Sequence, residues 1–192
     1  GPPFVGGESA YFLSVNRNKR SCAIDLKSPA GRDAVLDLAS AADVVIENFR
    51  PGTLDKWGLG FDALRARRSD IILCSISGFG RTGADAARPG YDLILQGEAG
   101  VMDITGDPMG PPTKVGTSIA DLVTGLYASH SVLAALMRRS RTGEGGRVDV
   151  SMLDAMASLL TFNAGMYFAT GQSPMRRGNV HPTISPYEPF ET

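Results

Sequence analysis

The stretch Cys22-Ala-Ile-Asp-Leu-Lys-Ser-Pro-Ala-Gly-Arg-Asp-Ala-Val-Leu-Asp-Leu-Ala-Ser-Ala-Ala-Asp-Val-Val-Ile-Glu47 decides the fold class. Its first five residues read as a strand. Ser28 is a good N-cap and Pro29 suits the first position of a helix. That helix carries Ala34, Val35, Leu38 and Ala39 on one side and ends near Ala42. Asp43-Val-Val-Ile-Glu then reads as a compact buried strand. Strand, helix and strand in this order imply a parallel pair joined by a crossover, hence an α/β fold with a parallel sheet wrapped by helices.

In such sheets ligands gather beyond the carboxyl ends of the strands. What leaves the second strand there is Asn48-Phe-Arg-Pro-Gly, an amide, an aromatic, a cation and a turn in succession. An ordinary strand-to-helix turn has the same composition. Further along, 53–57 and 61–67 read as short helices, the second with Arg65 and Arg67 suited to its C-terminal dipole. Asp70-Ile-Ile-Leu-Cys-Ser-Ile-Ser is the clearest strand and runs into Gly78-Phe-Gly-Arg-Thr-Gly. This lacks the Gly-Lys-Ser/Thr of a P-loop and, although its glycines fall at Gly-x-Gly-x-x-Gly spacing, is not read as a dinucleotide fingerprint either; glycines here more often permit a tight turn than cradle phosphate.

A long helix opens in Lys114-Val-Gly-Thr-Ser-Ile-Ala-Asp-Leu. Apolar residues recur from Ile119 to Met137 at helical spacing, and the helix ends near Arg138 and Arg139. Asp121 lies in its first turn, where free N–H groups and the dipole favour a carboxylate. Ser118-x-x-Asp121 has the spacing of a capping box, a device without chemistry. The alternative is an ionised Asp121 facing a cleft as a nucleophile. Val148-Asp-Val reads as a strand, Ser151-x-x-Asp154 as a second capping box, and 155–169 as one apolar helix, buried or facing another subunit. Tyr187-Glu-Pro-Phe-Glu-Thr reads as the beginning of a further strand.

Hydrophobic residues make up 43% and charged residues 20% of the 192, with a net charge of −1. This composition suits a globular protein and gives no electrostatic case for nucleic acid or a membrane surface. No transmembrane run stands out in the sequence. Cys22 and Cys74 are far apart and read as free thiols, which points to a reducing, cytoplasmic setting. Cys74, inside an apolar strand, has a poor environment for a thiolate. His130 and His181 have no partners at ligand spacing, so no metal is expected.

Several blocks taken in order carry a resemblance: Asn16-Arg-Asn-Lys-Arg-Ser, Lys27-Ser-Pro-Ala-Gly, Asp43-Val-Val-Ile-Glu-Asn-Phe-Arg-Pro-Gly, Pro89-Gly-Tyr-Asp, Ala120-Asp-Leu, Arg141-Thr-Gly-Glu-Gly and Gly178-Asn-Val-His-Pro. The ordered set resembles the class III CoA-transferase family, the formyl-CoA and carnitine CoA-transferase group, over essentially the whole chain. The resemblance implies a Rossmann-like large domain, in an incomplete piece of a longer protein that forms interlocked dimers. Residues 1–192 are then part of the CoA-binding domain, with 170–192 leading towards a small domain outside the chain.

It further implies that CoA moves between an acyl-CoA donor and a carboxylic acid through an aspartyl acyl anhydride at Asp121, the charge of which the helix N-terminus maintains. CoA contacts fall, by similarity, on Ile24, Lys27, Asn48, Phe49, Lys56, Trp57 and Met152. Arg88 stands beside Pro89, where some relatives carry a basic residue. Tyr91 and Asp92 would line the acyl pocket. Coenzyme A is a co-substrate, no cofactor is permanently bound, and the complete protein is a homodimer. The family also includes α-methylacyl-CoA racemases, which use a histidine where this chain has Tyr91. A tyrosine is a poor base at neutral pH, which favours transferase over racemase. A catalytically inactive CoA-binding fragment is the remaining alternative.

Overall fold

A computed structural model describes residues 1–190. Its first elements are a small antiparallel hairpin, β1 (Phe4–Val5) and β2 (Glu8–Ser9), followed by helix α1 (Ala10–Val15). Gly6 and Gly7, both at positive φ, form the two-residue turn.

The strand expected over 22–26 does not form. Asp25 intervenes: its Oδ1 accepts the Lys27 N–H at 2.9 Å and its carbonyl accepts the Ser28 hydroxyl at 2.9 Å. This local turn satisfies backbone and side-chain groups that a ladder would otherwise use. The helix after it is as read. α2 (Pro29–Ser40) starts with Ser28 Oγ accepting the Gly31 N–H.

β3 (Val44–Glu47), α3 (Thr53–Lys56), α4 (Phe61–Arg67) and β4 (Ile72–Ser77) follow, then α5 (Asp92–Glu98), α6 (Ile119–Thr142) and β5 (Gly146–Ser151). The three strands form a parallel sheet in the order β3-β4-β5, with Glu47 opposite Ser75 and Ser75 opposite Asp149. The parallel units are thus β3–β4 and β4–β5, one step later in the chain than the first reading. Side chains alternate across the sheet, so one face of β3 and β4 packs Val45, Ile71 and Leu73 against Leu36, Ala39, Leu54, Phe61 and Leu64 of α2, α3 and α4. On the other face Cys74, Ile76, Val148 and Val150 meet Ala128 and Val132 of α6. A third cluster joins α5, α6 and α7 (Met152–Ala157) through Leu95, Ala120 and Met156.

At the amino ends of the strands four charges tie the layers together. Arg68 and Arg139, from the ends of α4 and α6, both reach Asp43 (2.9 and 2.8 Å) and Asp70 (2.8 and 3.6 Å). Both carboxyls are held below their usual range, Asp43 chiefly by its hydrogen bond to Arg139 and Asp70 chiefly by that to Arg68.

Two further readings are corrected. α6 is long and apolar enough to cross a membrane, with a mean hydropathy of 1.4 over 18 residues. Here it serves as the central helix on the sheet, with Ala120, Val123, Thr124 and Ala128 buried. The apolar run 155–169 is not one helix. It divides into α7 (Met152–Ala157), a 3-10 turn (Ser158–Leu160) and α8 (Thr161–Thr170), because Thr161 takes φ 33°, ψ −109°. α8 has no buried residue, and Phe168 is 82% exposed. No strand occurs over 187–190; Glu191 and Thr192 lie outside the described residues.

Candidate active site

The carboxyl ends of all three parallel strands open on one cleft of about 520 Å³. β3 delivers Asn48, Phe49 and Arg50, β4 delivers Ser77 and Gly78, and β5 delivers Met152. The fourth wall is the start of α6, with Asp121, Thr124 and Gly125, and the turn into α5, with Tyr91 and Asp92. At the floor Gly78 and Gly90 touch backbone to backbone. A Cβ on Gly78 would lie 2.5 Å from Gly90 Cα, so neither position has room for a side chain. Gly78 also accepts the Leu153 N–H at 2.9 Å, which joins the β5–α7 turn to the same point.

The start of α6 is not capped by Ser118, whose side chain makes no cap hydrogen bond. Asp92 caps it from another helix. Its Oδ1 accepts the N–H of Ala120 (2.8 Å) and of Asp121 (3.4 Å), while Oδ2 accepts Gln96 Nε2 (2.7 Å). Gln96, fully buried, uses its Oε1 to accept the Val115 N–H at 2.8 Å. A chain of donors and acceptors therefore fixes the loop before α6, the helix start and α5 as one unit. Ser151 does behave as its motif implies, with Oγ accepting the Asp154 N–H at 3.2 Å.

With its backbone held this way, the Asp121 side chain is exposed on the cleft and has no hydrogen bond or ion pair among the described residues. Its pKa is raised, first by burial against the cleft walls and second by the Asp92 carboxylate. This corrects the expectation that the helix start dominates its charge state: the dipole is already engaged by Asp92. A carboxylate of raised pKa is a better nucleophile than an ordinary one, since nucleophilicity follows basicity within a class of groups.

Of the residues singled out in the sequence, the cleft gathers Asn48, Phe49, Arg88, Tyr91, Asp92, Met152 and Asp121. Arg88 is no free cation: it pairs with Glu98 and with Asp85 (3.4 Å), and its guanidinium lies 4.3 Å over the Phe79 ring. Asp92 acts as a cap as well as a wall. Trp57 stands behind the cleft, edge-on to Phe49 with ring centroids 5.3 Å apart, and Lys56 precedes it at the end of α3. Ile24 and Lys27 are on the irregular segment before α2 and are not among the lining residues. Arg50 also lines the cleft, as the cation of the loop read as leaving the second strand. Ser77, Thr124 and Gly125 were not anticipated; Thr124 and Gly125 follow from Asp121 by one helical turn. Cys74 is fully buried, and burial pushes its thiol pKa up.

Residues 1–192 match the family model described as CoA-transferase family III. The chain is 46% identical to a succinate–glutarate CoA-transferase of Agrobacterium fabrum, covering 100% of this chain and 50% of that protein. It is 48% identical to a succinyl-CoA:mesaconate CoA-transferase of Haloarcula hispanica, over 99% of this chain and 50% of that one. A crystal structure of a CaiB/BaiF family protein from Brucella suis superposes with a TM-score of 0.93 at 48% identity, over 98% of this chain and 51% of the other. The chain thus spans about half the length of the relatives it matches. A match of this extent, on a fold with a carboxylate at the mouth of α6, assigns the chain to CoA-transferase family III.

Proposed function

We propose that the chain carries the nucleophile and the thioester cleft of an enzyme that moves CoA from an acyl-CoA to a carboxylic acid. One observation carries this: Asp121 opens on the cleft with its carboxylate unengaged, while Asp92 holds the backbone from which it projects. An Asp121 oxygen attacks the thioester carbonyl. The tetrahedral oxyanion collapses, the C–S bond breaks, and an aspartyl acyl anhydride and the CoA thiolate result. The incoming carboxylate attacks the aspartyl carbonyl of this anhydride and displaces the donor acid as its carboxylate; the thiolate then attacks the acceptor's carbonyl in the new anhydride, giving the new thioester and free Asp121. No histidine is needed, since a carboxylate requires no deprotonation at neutral pH.

Phe49 and Met152 offer apolar contact for the pantetheine arm, and Arg50 offers a cation without an ion-pair partner among the described residues. The relatives' names speak of succinate, glutarate and mesaconate, so short dicarboxylates are the substrate class we favour. We take the full-length protein as a cytoplasmic homodimer, in keeping with the two free cysteines of this stretch and with the exposed Leu122, Leu126 and Leu133 on α6.

Incubating the full-length protein with an acyl-CoA and trapping with hydroxylamine or borohydride tests the reading. Mass spectrometry should find the adduct on the Asp121 peptide, and Asp121→Ala should abolish it. An untrapped Asp121 under turnover would refute it. The raised pKa of Asp121 favours a second reading, proton abstraction by a racemase. Solvent deuterium entering the α-carbon without any adduct would decide for that one.

A further inference from the structure

Arg81 lies in the loop that leaves β4, outside the cleft lining. Its guanidinium meets three carboxylates from three segments: Glu47 Oε1 at 3.7 Å, Asp55 Oδ2 at 3.4 Å and Asp149 Oδ1 at 3.4 Å. Glu47 ends β3 and Asp149 lies in β5. In register between them is Ser75 of β4, whose buried hydroxyl has no hydrogen-bond partner among the described residues. These three side chains form a row on one face of the sheet, and Arg81 spans it. Glu47 is 9% exposed. A carboxylate so placed is destabilising without a cation, more so with a second acid two strands away, across Ser75.

The row bears on the cleft through two connections. Glu47 Oε2 accepts the Phe49 N–H at 2.8 Å, which fixes the loop leaving β3. Asp55 belongs to α3, which ends at Lys56 and is followed by Trp57, and the Trp57 ring rests edge-on against Phe49. Arg81 therefore holds both halves of the aromatic pair, one through Glu47 and the other through Asp55, and anchors them to β5 through Asp149. A guanidinium suits this task because its planar fork serves several acceptors at once, whereas an ammonium is a point charge.

We propose that Arg81 is a positioning residue of the acyl-CoA cleft, setting the Phe49–Trp57 pair against which the thioester's CoA portion binds. The proposal rests on the CoA-transferase reading above. In the full-length protein, Arg81→Ala should raise KM for acyl-CoA and Kd for CoA about tenfold, the factor of about 1.4 kcal/mol, with kcat kept within about threefold. The fluorine NMR line of 5-fluorotryptophan at Trp57, assigned with Trp57→Phe, should shift or broaden. Arg81→Lys should recover part of both effects. If Arg81→Ala does not fold, Glu47→Gln/Arg81→Ala removes the stranded charge, keeps an acceptor for Phe49, and is read in the same way. KM and Kd within twofold of the parent with an unmoved Trp57 line would overturn the proposal. So would a fall in kcat at constant KM, which would put Arg81 in the chemistry instead. If the parent neither binds CoA nor transfers it, the transferase reading fails by itself, and the Trp57 line in Arg81→Ala alone decides whether Arg81 sets the pair.

Discussion

The relay Val115 N–H to Gln96 Oε1, Gln96 Nε2 to Asp92 Oδ2, and Ala120 N–H to Asp92 Oδ1 has a direction that can be tested by reversing it. Asp92→Asn is nearly isosteric, yet it cannot be accommodated. With its oxygen towards Gln96, its amide faces the Ala120 N–H; with its oxygen towards Ala120, its amide faces Gln96 Nε2. Turning Gln96 only moves the conflict to Val115. One buried donor is unsatisfied in every arrangement, which costs about 1–3 kcal/mol. Taking about 2 kcal/mol and a urea slope of about 2 kcal/mol/M, the unfolding midpoint should fall by roughly 1 M.

The double variant Asp92→Asn/Gln96→Glu reverses the polarity of the middle link. The carboxylate at position 96 accepts from Val115 and from the amide at 92, whose oxygen accepts from Ala120. Every group is again paired, so most of the lost stability should return. Gln96→Glu alone sets two carboxylates against each other and should be destabilising. Urea melts of the four proteins, with hydrogen exchange at Ala120 and Asp121 as the local readout, give the coupling energy. A coupling below about 0.5 kcal/mol, the scatter of independent sites, would show that the relay does not hold the start of α6.

Other outcomes follow from the same structure. The Asp121 pKa is raised on folding, so the folded state binds the extra proton and stability declines as pH rises through the window between the ordinary and the raised value. Asp121→Asn should therefore be more stable than the parent at neutral pH, and the difference should vanish below the carboxylate range, as urea midpoints against pH would record. Gly78→Ala should cost about 1–3 kcal/mol by overpacking against Gly90 and weaken CoA binding measured by calorimetry. Asp43 and Asp70 have lowered pKa values, so their contribution is present above the ordinary carboxylate value and is lost as pH falls through the folded value. Arg139→Met should accordingly move the acid-unfolding midpoint to higher pH, monitored by circular dichroism.

Much of the frame was legible because local patterns agree with the tertiary result. Ser28-Pro29 starts α2, the helix over 61–67 forms as read, and the apolar run before Gly78 is the central strand, in which pattern and burial coincide. The errors arise where short-range chemistry or long-range contact decides. Asp25 turns the backbone of an apparent strand, and Thr161 breaks an apolar run that gives no sequence signal of a break. The cap on α6 comes from Asp92, 29 residues before Asp121. No local motif can announce such a partner, and the adjacent Ser118 offers a plausible but unused alternative. The cleft was legible from the rule that ligands sit at strand carboxyl ends. The Arg81 row was not, since its members come from four segments that only the sheet register brings together.

α6 bears Asp121 in its first turn and Arg139 in its last, the latter clamped to the loops that enter β3 and β4. A 24-residue helix is about 36 Å long, so it acts as a lever whose fulcrum is the ionic clamp and whose tip is the carboxylate. A tilt of about 2° at the fulcrum swings that tip by roughly 1 Å, a displacement that can cost on the order of a hundredfold in rate. Alignment at the reacting carbon is thereby governed as much by the far side of the sheet as by the cleft itself.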